Sequence, residues 1–290
     1  VSNYGLSNII GGFIFGIGMV YGGGCASGTL YRAGEGYIHY WLLLISACVG
    51  YIAFAALFPE VFLPYFFVPL QIFDGYSLIA SLELLAPVVP IVLIATSIIY
   101  LRNKNKLIIN QTIQSIKISN ISSESLKAEW DTKLVGLGMG ILATLWFVVW
   151  GTLSITGPQA KWTGLIYSEI VGLETLQQNV YWNNVVFRDG IFSISLDMIL
   201  FVSLILGAFI SAYLSGDFKI RVIKRSRIPN AVIGGLVMGF GSRMAPGCNI
   251  SNTFSGLAFL SVAGFITSLG LLLGVYVATH WMFRRSGCAI

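Results

Sequence analysis

Two cysteines hold the most informative chemistry in this chain, because each ends a glycine-spaced apolar run and the runs are near copies. Ile10 to Thr29 reads IGGFIFGIGMVYGGGCASGT, and Ile233 to Thr253 reads IGGLVMGFGSRMAPGCNISNT. Superposing them pairs Gly11 with Gly234, Gly12 with Gly235, Gly16 with Gly239, and Gly18 with Gly241. The same register pairs Gly24 with Gly247 and Cys25 with Cys248. Small hydroxyl and amide residues follow each thiol: Ser27 and Thr29 in the first copy, Asn249, Ser251, Asn252 and Thr253 in the second. If each break opens into a short helix, free N–H groups and a positive dipole end face the space beside the cysteine, which favours an anion. Arg32 and Arg243 add positive charge nearby.

A thiol selects among anions. Sulfur is large, polarizable and a weak hydrogen-bond donor, so it suits a soft sulfur-bearing anion better than phosphate or carboxylate. Passage of an anion also requires the neutral thiol, since a thiolate would repel it. The candidate substrate-binding set is therefore Cys25, Cys248, Gly24, Ser27, Thr29, Gly247, Asn249 and Ser251, with no catalytic group and no metal ligand among them. The chain has four cysteines and two histidines, with no CxxC pair or Cys/His cluster, so zinc and thioredoxin-like sites are not expected. Cys48, unmatched in the second copy, reads as inert packing, and Cys288 as a tail residue.

The elements that position these residues are membrane spans. Only 10% of residues are charged and 56% are hydrophobic, against about a quarter charged in soluble domains. An all-α polytopic membrane protein is expected, with about seven spans in the bilayer. They lie near 5–21, 38–58, 76–101, 134–155, 190–214, 228–244 and 259–283. Val61 to Phe73 is short and interrupted by Pro64 and Pro69, which suits an interfacial or re-entrant piece better than a span. The stretch from Thr156 to Arg188 is mixed. Residues 102–133 form a polar basic linker, dividing the chain into a first membrane half (1–101) and a second (134–290).

The net charge of +5 sits in loops, where it orients the chain and meets anionic lipid; it is no sign of nucleic-acid binding. By the positive-inside rule the linker, the Lys219 to Arg227 loop and the Arg284-Arg285 end are cytoplasmic, as is the C-terminus. Counting spans between them brings the Cys25 turn in from the cytoplasmic side and the Cys248 turn from the opposite side, an inverted repeat. Gly12-x-x-x-Gly16 and Gly235-x-x-x-Gly239 are close-packing motifs for membrane helices. Two acids, Glu83 and Asp197, lie inside apolar segments, where proton coupling competes with structural pairing as their role. Arg32 and Glu35, three residues apart, have the spacing of a helical ion pair.

With these residues in view the chain resembles the YeeE/YedE family of sulphur-transport membrane proteins, which includes bacterial thiosulfate importers. The resemblance rests on GIGMVYGGGCASGTLYRAGEG and GGLVMGFGSRMAPGCNI and covers most of the chain. It implies an inverted-repeat fold in the bacterial cytoplasmic membrane, no cofactor, and thiosulfate handed between thiols through S–H···S hydrogen bonds. Cys25 and Cys248 match two of the family's relay cysteines. The family carries a further relay cysteine in an earlier loop, behind additional helices. Nothing here corresponds, so the expectation is a chain lacking the N-terminal part. A cytoplasmic sulfur-carrier protein is the partner to be expected. The alternatives are transport of a selenium compound or sulfite, a membrane sulfur-transfer enzyme working through a cysteine persulfide, or a water or ion channel indifferent to the cysteines.

Overall fold

The computed structural model describes residues 5–59, 132–151, 153–188, 191–192, 194–258 and 261–286. The expected third span, Glu83, the Val61 to Phe73 piece, Cys288 and nearly all of the linker lie outside them. The described residues are overwhelmingly helical, with one two-residue antiparallel pair, Phe187–Arg188 with Ile191–Phe192.

Three helices build the first copy: α1 (Leu6–Gly22), α2 (Ala26–Gly34) and α3 (Ile38–Leu57). Helix α4 (Thr132–Val149) follows, and the mixed stretch folds as α5 (Thr156–Val171), α6 (Leu173–Gln178) and α7 (Val180–Val186). After α8 (Leu196–Ser215), the second copy comprises α9 (Ile228–Met244), a π-helical turn (Ile250–Ser255) and α10 (Val262–Ser286). Among the described residues, four helical stretches are long and apolar enough to cross a membrane: Leu6–Gly34, Ile38–Leu57, Leu196–Ser215 and Val262–Met282. Val135–Val149 is a shorter apolar helix, and α9 has 17 residues. Large apolar side chains crowd the exterior, including Leu137, Leu142, Ile170, Leu214 and Leu272. That surface suits lipid and would be costly in water.

Helix α1 packs along both α9 and α10, and α9 lies in turn against α3. Glycines make this approach possible. A Cβ on Gly18 would sit 2.5 Å from the backbone N of Met238, and one on Gly241 would sit 2.5 Å from the N of Phe15. Gly11 lies against Ala245, and Gly234 against Gly22. Residue numbers fall along α9 as they rise along α1, so the two helices are antiparallel. Each contact also has a counterpart under the superposition of the two copies. The remaining glycines face outward from this pair: Gly12 and Gly16 seat on α10, Gly235 and Gly239 on α3. Without a hydrophobic drive between helices in lipid, such close backbone approach supplies the dispersion contacts that hold them.

Polar locks fix the ends. Asn8, fully buried, accepts from the Gly5 N–H at 2.9 Å and donates to Thr267 Oγ1 of α10 at 3.1 Å. The turn between α2 and α3 bonds to the loop after α8: Arg221 N–H donates to Gly36 O at 2.9 Å, and Ile38 N–H to Arg221 O at 3.2 Å. Helix α8 packs on α2 and α5.

These contacts set a test of packing. Gly241→Val should destabilise the protein by at least about 1–3 kcal/mol, the usual cost of overpacking a rigid contact. Gly207→Ala on α8, with no described neighbour within 4 Å of a new Cβ, should be neutral or stabilising by up to about 1 kcal/mol. Thermal unfolding in detergent checks both.

Candidate functional site

Both cysteines stand at helix breaks, and each break is held by its own residues. Helix α1 ends at Gly23, whose φ of 74° is the left-handed conformation that closes helices. Two residues on, Cys25 caps α2 with its sulfur in place of the usual hydroxyl or carboxylate oxygen. The Gly28 N–H donates to Sγ at 3.4 Å, Ser27 Oγ lies 3.1 Å from Sγ, and the Thr29 hydroxyl donates to Cys25 O at 2.9 Å. Gly24 leaves room for Arg32, whose Nη1 would be 3.2 Å from a Cβ there.

In the second break Gly247 has a φ of 138°, and a Cβ would collide with the Ser251 hydroxyl. That hydroxyl accepts the Cys248 N–H at 2.9 Å and lies 3.1 Å from Cys248 O as a donor. Asn252 Nδ2 donates to Ala245 O at 2.9 Å. The chain continues as a π-helix and not as the α-helix that the Cys25 copy forms. The reason is local: Gly256 and Gly264 bring the start of α10 against the Asn252 carbonyl, and Asn252 ties the turn back to α9. Such turns are frequent at functional sites. Asn249 Oδ1 is buried with no hydrogen-bond partner among the described residues.

The two thiols are not equivalent. Cys25 is half-buried and its sulfur is already a hydrogen-bond acceptor. Cys248 is 1% exposed, and among the described residues its sulfur has only the Ser251 hydroxyl, at 3.9 Å. Cys248 also belongs to one buried apolar cluster with Ala26 and Leu30 of α2, Phe15 of α1 and Ile155. The helix capped by Cys25 and the thiol of Cys248 therefore share one core.

Arg32 turns away from Glu35, the neighbour its spacing suggested. Its Nη1 donates to Tyr40 Oη at 2.6 Å and to Gly23 O at 3.2 Å, its Nε donates to Tyr31 Oη at 3.1 Å, and it stacks on both rings. Arg243 donates to Thr156 Oγ1 at 2.8 Å and lies over the Tyr51 ring. Cys48 lies 3.9 Å from Gln159 Nε2 and also meets the Thr163 side chain.

The mixed stretch proves to be structural core, which sequence patterning missed. Gln159 bridges α3, accepting from Tyr51 at 2.9 Å and donating to Leu44 O at 3.1 Å. Tyr181 and Trp182 of α7 pack with Tyr51 and Phe54. Burial holds the Tyr181 phenol above its ordinary range, opposed by the charge of Arg243. Lys161 answers the question of Asp197: its ammonium lies 2.8 Å from the carboxylate and 3.0 Å from Ser195 Oγ. An acid within an apolar segment needs a cation, and Lys161 was the basic residue that the mixed stretch offered.

The molecule so defined is a polytopic α-helical membrane protein in which two antiparallel, glycine-packed helices each break at a cysteine. Residues 2–277 match the family described as Sulphur transport, and the chain belongs to that family. It is similar to the Thiosulfate transporter TsuA of Escherichia coli K12, 26% identical over 283 residues that cover 97% of this chain and 75% of the relative. The protein of the same name from Spirochaeta thermophila is 31% identical over 291 residues, 97% of this chain and 78% of the relative. The Probable transporter YedE of Salmonella typhimurium LT2 is 29% identical over 154 residues, 52% of this chain and 38% of the relative. The family description and these names set the chain among transporters and not among sulfur-transfer enzymes.

Asp197→Asn should leave the pH dependence of uptake unchanged, because its charge is spent on Lys161. A double-mutant cycle with Lys161→Met should give about 1–2 kcal/mol of coupling, between the values for exposed and buried pairs. A lost pH dependence in Asp197→Asn would instead assign that acid to proton coupling.

Proposed function

We propose that this protein carries thiosulfate, or a closely related sulfur anion, inward across the bacterial cytoplasmic membrane by passing it from Cys248 to Cys25. The observation that carries this reading is the burial of Cys248 against Ala26 and Leu30, residues of the short helix that Cys25 caps. Two thiols at equivalent breaks of antiparallel helices form stations reached from opposite membrane faces. The orientation is supported by the bonding of the α2–α3 turn to the basic loop after α8, which groups that turn with the cytoplasmic charges. Inverted repeats with interrupted helices are how many transporters place a substrate between two faces.

Each thiol offers its S–H to the terminal sulfur of the anion, while hydroxyls and backbone N–H groups of the breaks take its oxygens. Ser27 serves the first station and the Asn249 amide the second, while the Thr29 and Ser251 hydroxyls brace the breaks by donating to the Cys25 and Cys248 carbonyls, and Gly24 and Gly247 permit the turns. S–H donors are weak, and weakness is useful here. Conduction needs sites favourable enough to enter and loose enough to leave. No bond to sulfur is made or broken, so no oxidant or reductant is needed.

Uptake of radiolabelled thiosulfate into proteoliposomes tests the reading. Cys25→Ser and Cys248→Ser should each reduce uptake to near background, while Cys48→Ser should retain it. A persulfide adduct on either cysteine after exposure to thiosulfate would replace the relay with covalent transfer. Flux unaffected by both substitutions would leave a channel.

A further inference from the structure

A few residues before Cys248 lies a cation with no counter-charge among the described residues. Arg243 ends α9 five positions before the cysteine, inside an aromatic core. Its Nη2 donates to Thr156, and its Nε is buried with no acceptor among the described residues. The one ion pair among those residues is Lys161–Asp197, so no described carboxylate neutralises it. Tyr51 is a neutral phenol that donates its proton to Gln159 Oε1, so it brings Arg243 no negative charge. It offers the guanidinium its ring face, 5.3 Å from Cζ. The Tyr181 hydroxyl faces Arg243 and is itself buried, 7% exposed, with no acceptor for its proton among the described residues.

The surroundings add positive potential where negative charge is missing. Thr156 is the first residue of α5, a 16-residue helix whose N-cap, Ile155, provides no side-chain acceptor. The positive end of that helix therefore meets the guanidinium. Ile155 in turn packs in the cluster that buries Cys248, and Tyr51 lies within electrostatic range of Arg243, Tyr181 and Cys248. A buried charge left unpaired is costly, and such groups ordinarily hold a partner.

We infer that Arg243, the Thr156 end of α5 and the Tyr181 hydroxyl form the oxyanion subsite of the Cys248 station, and that the transported anion is the missing counter-charge. This rests on the transport reading above and divides the substrate between two kinds of recognition. The guanidinium Nε–H and the Tyr181 O–H take the oxygens of the sulfonate end, leaving the terminal sulfur for the Cys248 thiol. Arg32, by contrast, is already satisfied by two tyrosines and a carbonyl, and holds no vacancy of this kind. The site therefore reads oxygen and charge, and the cysteine reads sulfur. Sulfate, with the oxygens and charge but no terminal sulfur, is expected to occupy the subsite without being carried onward.

Thermal unfolding of the full chain in detergent tests this, with sodium thiosulfate or sodium sulfate titrated against sodium chloride at constant ionic strength. A ligand that binds only the folded state raises Tm. Both anions should raise the Tm of the wild type, thiosulfate more than sulfate, and neither should raise that of Arg243→Gln. Arg243→Lys keeps charge without the planar fork, so its response should saturate at about tenfold higher concentration. Tyr181→Phe should shift saturation by about two- to tenfold, as loss of one hydrogen bond does. An anion response in Arg243→Gln equal to that of the wild type, or no response in the wild type, overturns the subsite. If Arg243→Gln does not fold, Arg243→Lys decides, and unchanged saturation overturns the proposal. Transport is read separately. A response abolished in Arg243→Gln, with no uptake by the wild type, keeps the subsite and removes the transport reading. Uptake by Arg243→Lys with an unchanged KM removes the subsite and keeps transport.

Discussion

Everything in this molecule depends on how closely α1 and α9 approach. Side chains at Gly11, Gly18, Gly234 or Gly241 would collide with the facing backbone. Lipid offers helices no hydrophobic reason to associate, so contact surface and polar locks must hold them together. The glycines supply the contact surface, and the Asn8–Thr267 hydrogen bond is one such lock. Because the contacts are reciprocal, the same constraint that holds the pair together also orients one copy against the other.

This packing decides where the helices are allowed to stop. A broken helix leaves N–H and C=O groups that hydrocarbon cannot satisfy. Here each break carries its own replacements: the Cys25 sulfur and Thr29 hydroxyl on one side, Ser251 and Asn252 on the other. The cost of exposing polar backbone inside the membrane is met locally, and Cys248 is buried in one cluster with residues of the helix that Cys25 caps. The two copies then diverge. Cys25 is engaged as a helix cap, whereas Cys248 is nearly free of hydrogen bonds and fully buried. In the proposed relay, two stations of unequal character suit directional passage better than two identical ones.

The second helical layer, α5 to α7, has no counterpart among the described residues of the first half, and it changes the electrostatics on one side only. It presents Lys161 to Asp197, Gln159 to Tyr51 and Thr156 to Arg243. Two of these arrangements close a polar account within the protein. The third leaves Arg243 without a carboxylate partner among the described residues.

The membrane class, the two cysteine breaks and the glycine stripes were legible in the amino-acid order, because apolar length, helix-breaking residues and period are local properties. The repeat was legible too, since its glycines and cysteine keep one register. Loop charge led to the expectation that the two copies are inverted; that α1 seats on α9, and which glycine meets which backbone, was not legible, since it depends on crossing geometry. The stretch from Thr156 to Arg188 appeared merely mixed, because its polar residues are satisfied by α3, α8 and α9, distant in the chain. Arg32 pairs with tyrosines and not with Glu35, a choice made by the α2–α3 turn that brings Tyr40 within reach. Residue types and spacing determined that sulfur would face an anion-friendly break in a membrane. Tertiary structure decided which charges are paired among the described residues and which one is not, because pairing depends on distance across the fold and not along the chain.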